Sequence, residues 1–382
     1  MRALRLILPF LLLLVLIWLG FWWYAQSQLV VGFHREEAKL REAGWTVSHG
    51  AIERGHSPLV ARMSVSNLDL TPPGAPGARP TIDFPTVGAH IDITTPFTCD
   101  VELPHHFSIH SAQGNEIALD ADVIKDDFRF DPDAVLRRTK FPFRGGTAHV
   151  SNLRVSIASS HFPIMTIGAL DAQLTFNPKA DANATSMSVR ETFSNIAVSP
   201  LFVTLVHLPF NGRINQYSIA VKFTGPDFSQ ALDSLGTPPP MPASDPTAQL
   251  NAQLAELGAR LRPWASHGGH GTFAVGLVIG PLGANLHGAF KFDQALQPEG
   301  TGTVTATGLP AFLSAIGTAQ PRFANALAGA TAAAAPFMVK GPDGHQKLDI
   351  ALALRNRALT LNGKPAATLP EINWPPAAPA TR

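Results

Sequence analysis

The side chains best suited to chemistry in this chain are its 14 histidines. His105, His106 and His110 lie close together, and His267 and His270 form a second pair. A catalytic zinc needs three convergent ligands, commonly from a helical spacing such as H-E-x-x-H. Neither group has that spacing. His105 and His106 follow Pro104 at the mouth of a strand, where adjacent side chains diverge. His267 and His270 sit in the Gly-rich turn SHGGHG. The acidic pairs Asp126-Asp127 and Asp120/Asp122 could bind a cation or act as acid and base if they shared a strand face. Beside apparent strands they read as solvated edge charges. There is no GxxxxGK[ST] loop, no strand-anchored GxGxxG and no GxSxG elbow. The reading is a non-enzymatic protein with no catalytic, cofactor or metal site.

Cys99 is the only cysteine. It excludes an intramolecular disulfide and Cys-based metal sites, and reads as a small buried hydrophobe. The net charge of +1 decides little, but no dense Lys/Arg cluster interleaves with aromatics, so nucleic acid is not an expected partner. Charged residues make up 15% of the chain, well below the roughly 25% of ordinary soluble domains. The 33 Pro and 31 Gly are spread throughout, which implies many turns.

The element that addresses the chain is an apolar run from Leu6 to Tyr24, including Leu11, Leu14, Trp18, Phe21, Trp22 and Trp23. At the helical rise it spans roughly 28 Å, close to the hydrocarbon thickness of a bilayer. Arg2 and Arg5 precede it, so the positive-inside bias leaves the N-terminus in the cytoplasm. Trp22, Trp23 and Tyr24 fall where an aromatic belt belongs. The expectation is an uncleaved signal-anchor in a bacterial inner membrane, single-pass, with the body in the periplasm. The competing reading, a cleaved signal peptide with Ala25-Gln26-Ser27 as its site, exports the body equally.

Ser27 to Ala43 reads as a helix continuing from the anchor, with Leu29, Val30, Phe33 and Leu40 on an apolar face and Glu36, Glu37, Lys39, Arg41 and Glu42 on a polar one. Gly44 is a natural C-cap. Period-two alternation follows, as in Leu59, Ala61, Met63 and Val65, and recurs in about a dozen further segments. So many strands without regular intervening helices exclude a parallel doubly wound sheet. The predicted fold is mainly β: a transmembrane helix, then a large antiparallel sheet in two lobes with a few packed helices. The expected layout is stub and anchor over 1–26, a helix and β-rich lobe over 27–236, and a Pro-rich linker over 237–246. A helix and second β lobe follow over 247–370, then a flexible tail over 371–382. Predicted body helices cover Asp131–Lys140, Pro226–Leu235, Thr247–Ala265 with a leucine stripe, and Pro310–Ala335 with a break at Pro321.

The segment beyond the anchor carries a resemblance. AGWTVSHG (Ala43 to Gly50), Arg54, Gly55, Pro58 and the alternating strand after them resemble the opening of the bacterial domain-of-unknown-function 2125 proteins. Near the C-terminus GPDG and ALTLNGKPAATLP agree. The resemblance implies an inner-membrane-anchored envelope protein with no assigned activity and no site residues to carry over. In layout alone the chain also looks like AsmA-like proteins, whose long β-sheet is associated with lipid movement. The functional expectation is therefore an envelope protein whose sheet presents an apolar groove to lipid or another amphiphile. The alternatives are a scaffold that binds other envelope proteins and a hydrolase assembled from scattered His and Asp.

Overall fold

The computed structural model describes the backbone of residues 2–74, 79–92, 94–111, 113–137, 143–160, 162–226, 228, 258, 261–341, 344, 346–372 and 374, with side chains from Leu16 onward. The chain is mainly β, its strands antiparallel, with few helices. Two compact units are present. The first comprises residues up to Leu119 together with Ile124–Gly146; the second comprises Asp120–Val123 and the described residues from Thr147 on. The expected linker at 237–246 lies outside the described residues.

Helix α1 (Arg2–Glu42) opens the first unit without a break. It ends in a Schellman cap. Gly44 takes φ +85°, its N–H bonds the Arg41 carbonyl, and the Trp45 N–H reaches back to Leu40 at 2.9 Å. The first unit then runs β1 (Thr46–Ser48), β2 (Ile52–Arg54), β3 (Val60–Thr71), β4 (Thr81–Asp92), β5 (Thr98–Glu102), β6 (His106–His110), β7 (Glu116–Asp120), β8 (Val123–Phe130) and α2 (Pro132–Leu136). Strand β3 is its spine. It pairs with β1 and β2 on one edge and with the length of β4 on the other, while β4 passes on to β5 and β6.

The predicted alternation on β3 holds through Val65: Ala61, Met63 and Val65 are buried and Arg62 is exposed. Leu59 lies before the strand and is exposed. Then the phase shifts, because Leu68 rather than Asn67 turns inward. Asn67 sits at φ +48°, a left-handed conformation that asparagine tolerates. The chain opposite is Pro85, which has no N–H to donate, so the ladder skips that pair. The core around Val47, Met63, Val65 and Leu68 is closed by Leu29, Val30, Phe33 and Leu40 of α1, the apolar face read from the sequence.

The division between units falls within β9 (Phe143–Ile157). The second unit is an antiparallel meander: β10 (Phe162–Phe176), β11 (Thr185–Val198), β12 (Arg213–Thr224), β13 (His270–Ile279), β14 (Leu282–Phe292), β15 (Pro298–Thr307), β16 (Met338–Lys340), β17 (Gln346–Arg355), β18 (Ala358–Leu361) and β19 (Lys364–Thr368). Consecutive members pair from β10 to β15; β15 then pairs with β17, and β17 with β18 and the short β16. The β18–β19 hairpin turns on Asn362 and Gly363, both at positive φ, as the NG dipeptide predicts. Helices α3 (Pro200–Val206), α4 (Leu309–Ala319) and α5 (Ala324–Ala334) complete it. The expected break at Pro321 is real: a 3₁₀ turn over Pro321–Phe323 separates α4 from α5. The sequence reading did not include α3. Of the Thr247–Ala265 helix, only its last residues fall among those described, and Leu250, Leu254 and Leu257 lie outside them.

Aromatic rings over glycines set the packing of the second unit. Phe273 pairs across the strands with Gly288, and Phe290 with Gly271 and Gly300. A Cβ at Gly288 would lie 2.7 Å from the Phe273 ring and 2.6 Å from the Thr301 carbonyl oxygen. At the open end of these strands Trp264, 1% exposed, meets Phe223, Phe228, Phe290 and Phe292 edge-on and donates its indole N–H to the Thr224 carbonyl at 2.9 Å. Trp374 adds a further ring against Phe292 and donates to Leu296. The tail expected to be flexible from 371 is therefore held at Trp374, and Gln297 exchanges hydrogen bonds with Ile372.

Two substitutions test this packing with opposite signs. Gly288→Val forces a branched side chain into the Phe273 ring and should cost about 1–3 kcal/mol. Gly329→Ala lies in α5, where a Cβ meets nothing within 4 Å, and should stabilise by about 0.5–1 kcal/mol. Denaturant midpoints followed by tryptophan fluorescence read both.

Candidate functional site

The feature that could hold a ligand is a pocket of about 790 Å³ between α1 and the sheet of the first unit. Its size falls within the range of small-molecule sites. One wall is α1, through Phe21, Tyr24, Leu29, Gly32 and Phe33. The other is one face of the sheet. Met63, Ala89 and Val101 sit opposite one another across β3, β4 and β5, and Val65, Val87, Ile91 and Cys99 extend that face. The reverse face is charged: the register that aligns Met63, Ala89 and Val101 also aligns Arg62, His90 and Asp100. Polar groups at the pocket are confined to the helix side, at Gln28, Arg35 and Glu36.

Three side chains of α1 place it. Trp18 donates its indole N–H to the Pro58 carbonyl, Trp22 donates to Val60 at 3.2 Å, and Gln26 donates to Arg62 at 2.7 Å. Gln26 also accepts from the Arg62 N–H at 3.1 Å and is itself buried. Four helical residues advance about 6 Å and two strand residues about 6.6 Å. The i, i+4, i+8 stripe of the helix thus keeps step with the i, i+2, i+4 carbonyls beyond the end of β2, and covers the exposed edge of β3.

This revises the expected anchor. Trp18 and Trp22 spend their N–H groups on a strand edge rather than on lipid headgroups, and Phe21 and Tyr24 line the pocket. Of the expected aromatic belt only Trp23, 68% exposed, points outward, with Leu16, Ile17 and Leu19 also exposed nearby. The side chains of Leu6, Leu11 and Leu14 lie outside the described residues. Among the described residues no helix is long and apolar enough to cross a membrane.

Farther along α1, Glu37 gathers an ion cluster. Its carboxylate meets His34 Nδ1 at 3.0 Å, Arg41 Nη2 at 2.7 Å and His49 Nε2 at 3.3 Å. His34, Glu37 and His49 have the spacing of metal ligands, but both Glu37 oxygens already have partners, one of them a guanidinium. Arg41 also donates to the Val47 carbonyl. The cluster is better described as an electrostatic clasp that fixes α1 on β1. The sequence reading placed Glu37 on a solvated face; its signal was the H-x-x-E-x-x-x-R spacing, which aligns three partners on one side of a helix. The His34 hydrogen bond outweighs burial and, with the Arg41 and His49 charges, holds the Glu37 carboxyl below its ordinary value.

At the other end of the pocket Asp131 caps α2, accepting from the Asp133 and Ala134 N–H groups, and pairs through one oxygen with both Nε and Nη2 of Arg144. Burial would raise its carboxyl, but these donors and the Arg144 charge hold it low. The cap sets Ala134 and Val135 on the pocket. Cys99, buried as expected, has its thiol pushed up to about 11 by burial and then by Asp100.

The polar residues singled out in the sequence lie elsewhere. His110 Nε2 contacts Asp83 at 2.7 Å and Ser108 Oγ at 3.3 Å. Serine, histidine and aspartate thus meet, but on a single ring nitrogen. Relay through a triad needs the acid and the hydroxyl on opposite nitrogens. Burial is the main cause raising the Asp83 carboxyl, with Asp69 beside it. Asp126, raised by burial and then by Asp127, lies on the sheet face that carries Val101. Asp122 accepts from Asn152 and Arg154, both at 2.8 Å. His270 bonds the Gly268 carbonyl at the rim of a second cavity of about 760 Å³ in the second unit.

Residues 22–370 match the family described as "uncharacterized protein conserved in bacteria (DUF2125)". The chain belongs to the DUF2125 family. The match takes in the α1 segment from Trp22 on, the pocket lining other than Phe21, the Glu37 clasp and most of both units. No curated protein and no solved structure matches this DUF2125 chain, and the likeness to AsmA-like proteins rests on layout alone.

The clasp and the thiol give two measurements. A depressed carboxyl contributes stability above its unfolded value that is lost as pH falls through its folded one. Glu37→Gln should therefore lower stability near neutrality and flatten the acid side of a urea-midpoint profile below about pH 5. Cys99 should react with a disulfide reagent at neutral pH about 100-fold more slowly than the same thiol in urea, as a rise of two pK units implies.

Proposed function

We propose that this protein is a membrane-anchored envelope protein that holds an apolar chain of a lipid or other amphiphile in the pocket beneath α1. The observation that carries the reading is the pocket's construction. The helix expected to enter the membrane is also one wall of the cavity, and the opposite wall is an aliphatic sheet face that α1 leaves partly open. A closed core would have filled that space with side chains at interior density. The anchor starts with the apolar stretch of α1 from Leu6 to Ile17, about 18 Å long at the helical rise, and exposed Leu19 and Trp23 continue its apolar surface. Arg2 and Arg5 orient it, leaving both units on the far, periplasmic side. Envelope proteins and the inner membrane remain its proposed partners.

Gly32 offers a test with little ambiguity. It faces the pocket, and a Cβ there meets nothing within 4 Å. Gly32→Phe should improve helix propensity while filling the cavity. Native mass spectrometry of full-length protein in mild detergent should find a copurifying amphiphile that the variant lacks, at unchanged or higher thermal stability. Equal occupancy in both proteins, or none in either, would sink the pocket reading. For the anchor, removing residues 2–17 should turn a membrane association that resists high salt into one that high salt releases, without unfolding the protein. Removing 1–26 should also unfold the first unit, because Trp18, Trp22 and Gln26 go with it.

A further inference from the structure

The second unit carries an unusual end. Helix α3, the turn over Pro209–Gly212 and α4 gather around the β13–β14 turn, and α5 packs on α4. Phe210 stacks on Phe312 at 5.4 Å and 8°, and Gln320 donates to the Val206 and His207 carbonyls. A Cβ on Gly280 would strike the Phe210 ring, and one on Gly308 would strike the Pro281 carbonyl, so these segments are tightly seated on the turn. Yet none of the three helices has a buried residue. Large apolar side chains point out from α3 and from the turn before α5: Leu205 is 69% exposed, Leu201 57%, Val206 46% and Phe323 45%, whereas those of α4 are half-buried. Helix α5 (ANALAGATAAA) is exposed at every position except Leu327 and Ala334. Helices this short are marginal in water unless tertiary packing supports them.

The charge distribution is one-sided. No acidic residue occurs between Glu191 and Asp227, or between Glu299 and Asp343, the two stretches that supply this end. Both contain cations. Arg213 follows the turn, Arg322 separates α4 from α5 with its guanidinium 4.9 Å from the Phe323 ring centroid, and Lys340 ends β16 just beyond α5. Among the described residues none of the three makes an ion pair, and Asp349, on the strand end beside them, is taken by Lys347 at 3.0 Å. The stretches that supply this end carry cations and no carboxylate of their own, so their apolar surface complements an anionic bilayer, where the aliphatic side chains enter the acyl boundary and the cations meet headgroup phosphates.

We infer that this helical end is a membrane-docking surface for an anionic phospholipid bilayer, a contact independent of α1 and of the pocket. The test uses full-length protein reconstituted in vesicles. In a Cys99→Ser background, an environment-sensitive dye is placed by Leu205→Cys, by Phe323→Cys, or by Lys179→Cys as a control in the exposed β10–β11 turn. In vesicles of phosphatidylglycerol and phosphatidylcholine, nitroxide-labelled lipid should quench the dye at 205 and 323 but not at 179. Added salt should weaken the quenching. Arg322→Gln should shift the docked-to-undocked ratio about fivefold, the factor one surface cation contributes. Quenching that persists unchanged in pure phosphatidylcholine would overturn the anionic assignment. Dyes that stay in water in both vesicles would overturn docking altogether. So would dyes shielded in proportion to protein concentration in lipid-free detergent, which would make the surface a contact between copies of the chain.

Discussion

The first unit depends on the contact between one helix stripe and one strand edge. Beyond β2 the chain leading into β3 turns the Pro58, Val60 and Arg62 carbonyls toward α1, and Trp18, Trp22 and Gln26 answer them in step, the Arg62 carbonyl also accepting from the Gly55 N–H at 2.7 Å. Helical and extended repeats do not usually stay in register, but four residues of one and two of the other nearly coincide in length. The contact therefore fixes both where α1 lies and how far it has slid. The Glu37 clasp fixes the same helix a second time, three turns on. With both ends set, the stretch between them spans the sheet face, and the pocket is the space that remains.

That arrangement explains why the two sheet faces differ so sharply. A face under a polar helix would hydrate; a face in contact along its whole length would close. Here Leu29, Val30, Phe33 and Leu40 seal the core side, while Gly32 leaves a gap between Val31 and Phe33 that no side chain occupies. A valine or leucine at 32 would have improved the helix and filled space at no evident structural cost. The presence of glycine at that position is difficult to explain by packing alone.

Much of this was legible in the sequence, for physical reasons that can be named. Long strands with one buried face declare themselves through period two, as Ala61, Met63 and Val65 of β3 do. The apolar face of α1 was read correctly because burial and helical periodicity agree there. Among the strands outside the sequence reading, Thr98–Glu102 and Val123–Phe130 carry Asp100, Lys125, Asp126 and Asp127. Asp100 and Asp127 pair on the charged outer face while Asp126 lies opposite Val101 on the inner one, so charges on both faces hid the alternation. For Trp22, expected in an aromatic belt, composition is silent about the partner of its N–H. Tryptophan at the end of an apolar run has the same composition whether its N–H meets a headgroup or a carbonyl, and only the chain opposite decides. Trp374 repeats the lesson: its indole packs on Phe292 and donates to the Leu296 carbonyl, contacts that composition does not announce.

The second unit is stabilised by a different device, and the contrast has consequences. Its strands are rich in glycine, alanine and threonine, and their cohesion comes from rings laid across glycines and from the cluster around Trp264. These contacts lie toward the Trp264 end of the strands. Toward the other end the stacked Phe210 and Phe312 hold the helices down but bury nothing of α5. A β meander with one well-filled end and one uncovered end has unequal local stability, and local opening begins where buried apolar contact is least. Covering the helical end would therefore do more than attach this unit to another surface; it would stabilise the part that its own core leaves unsupported.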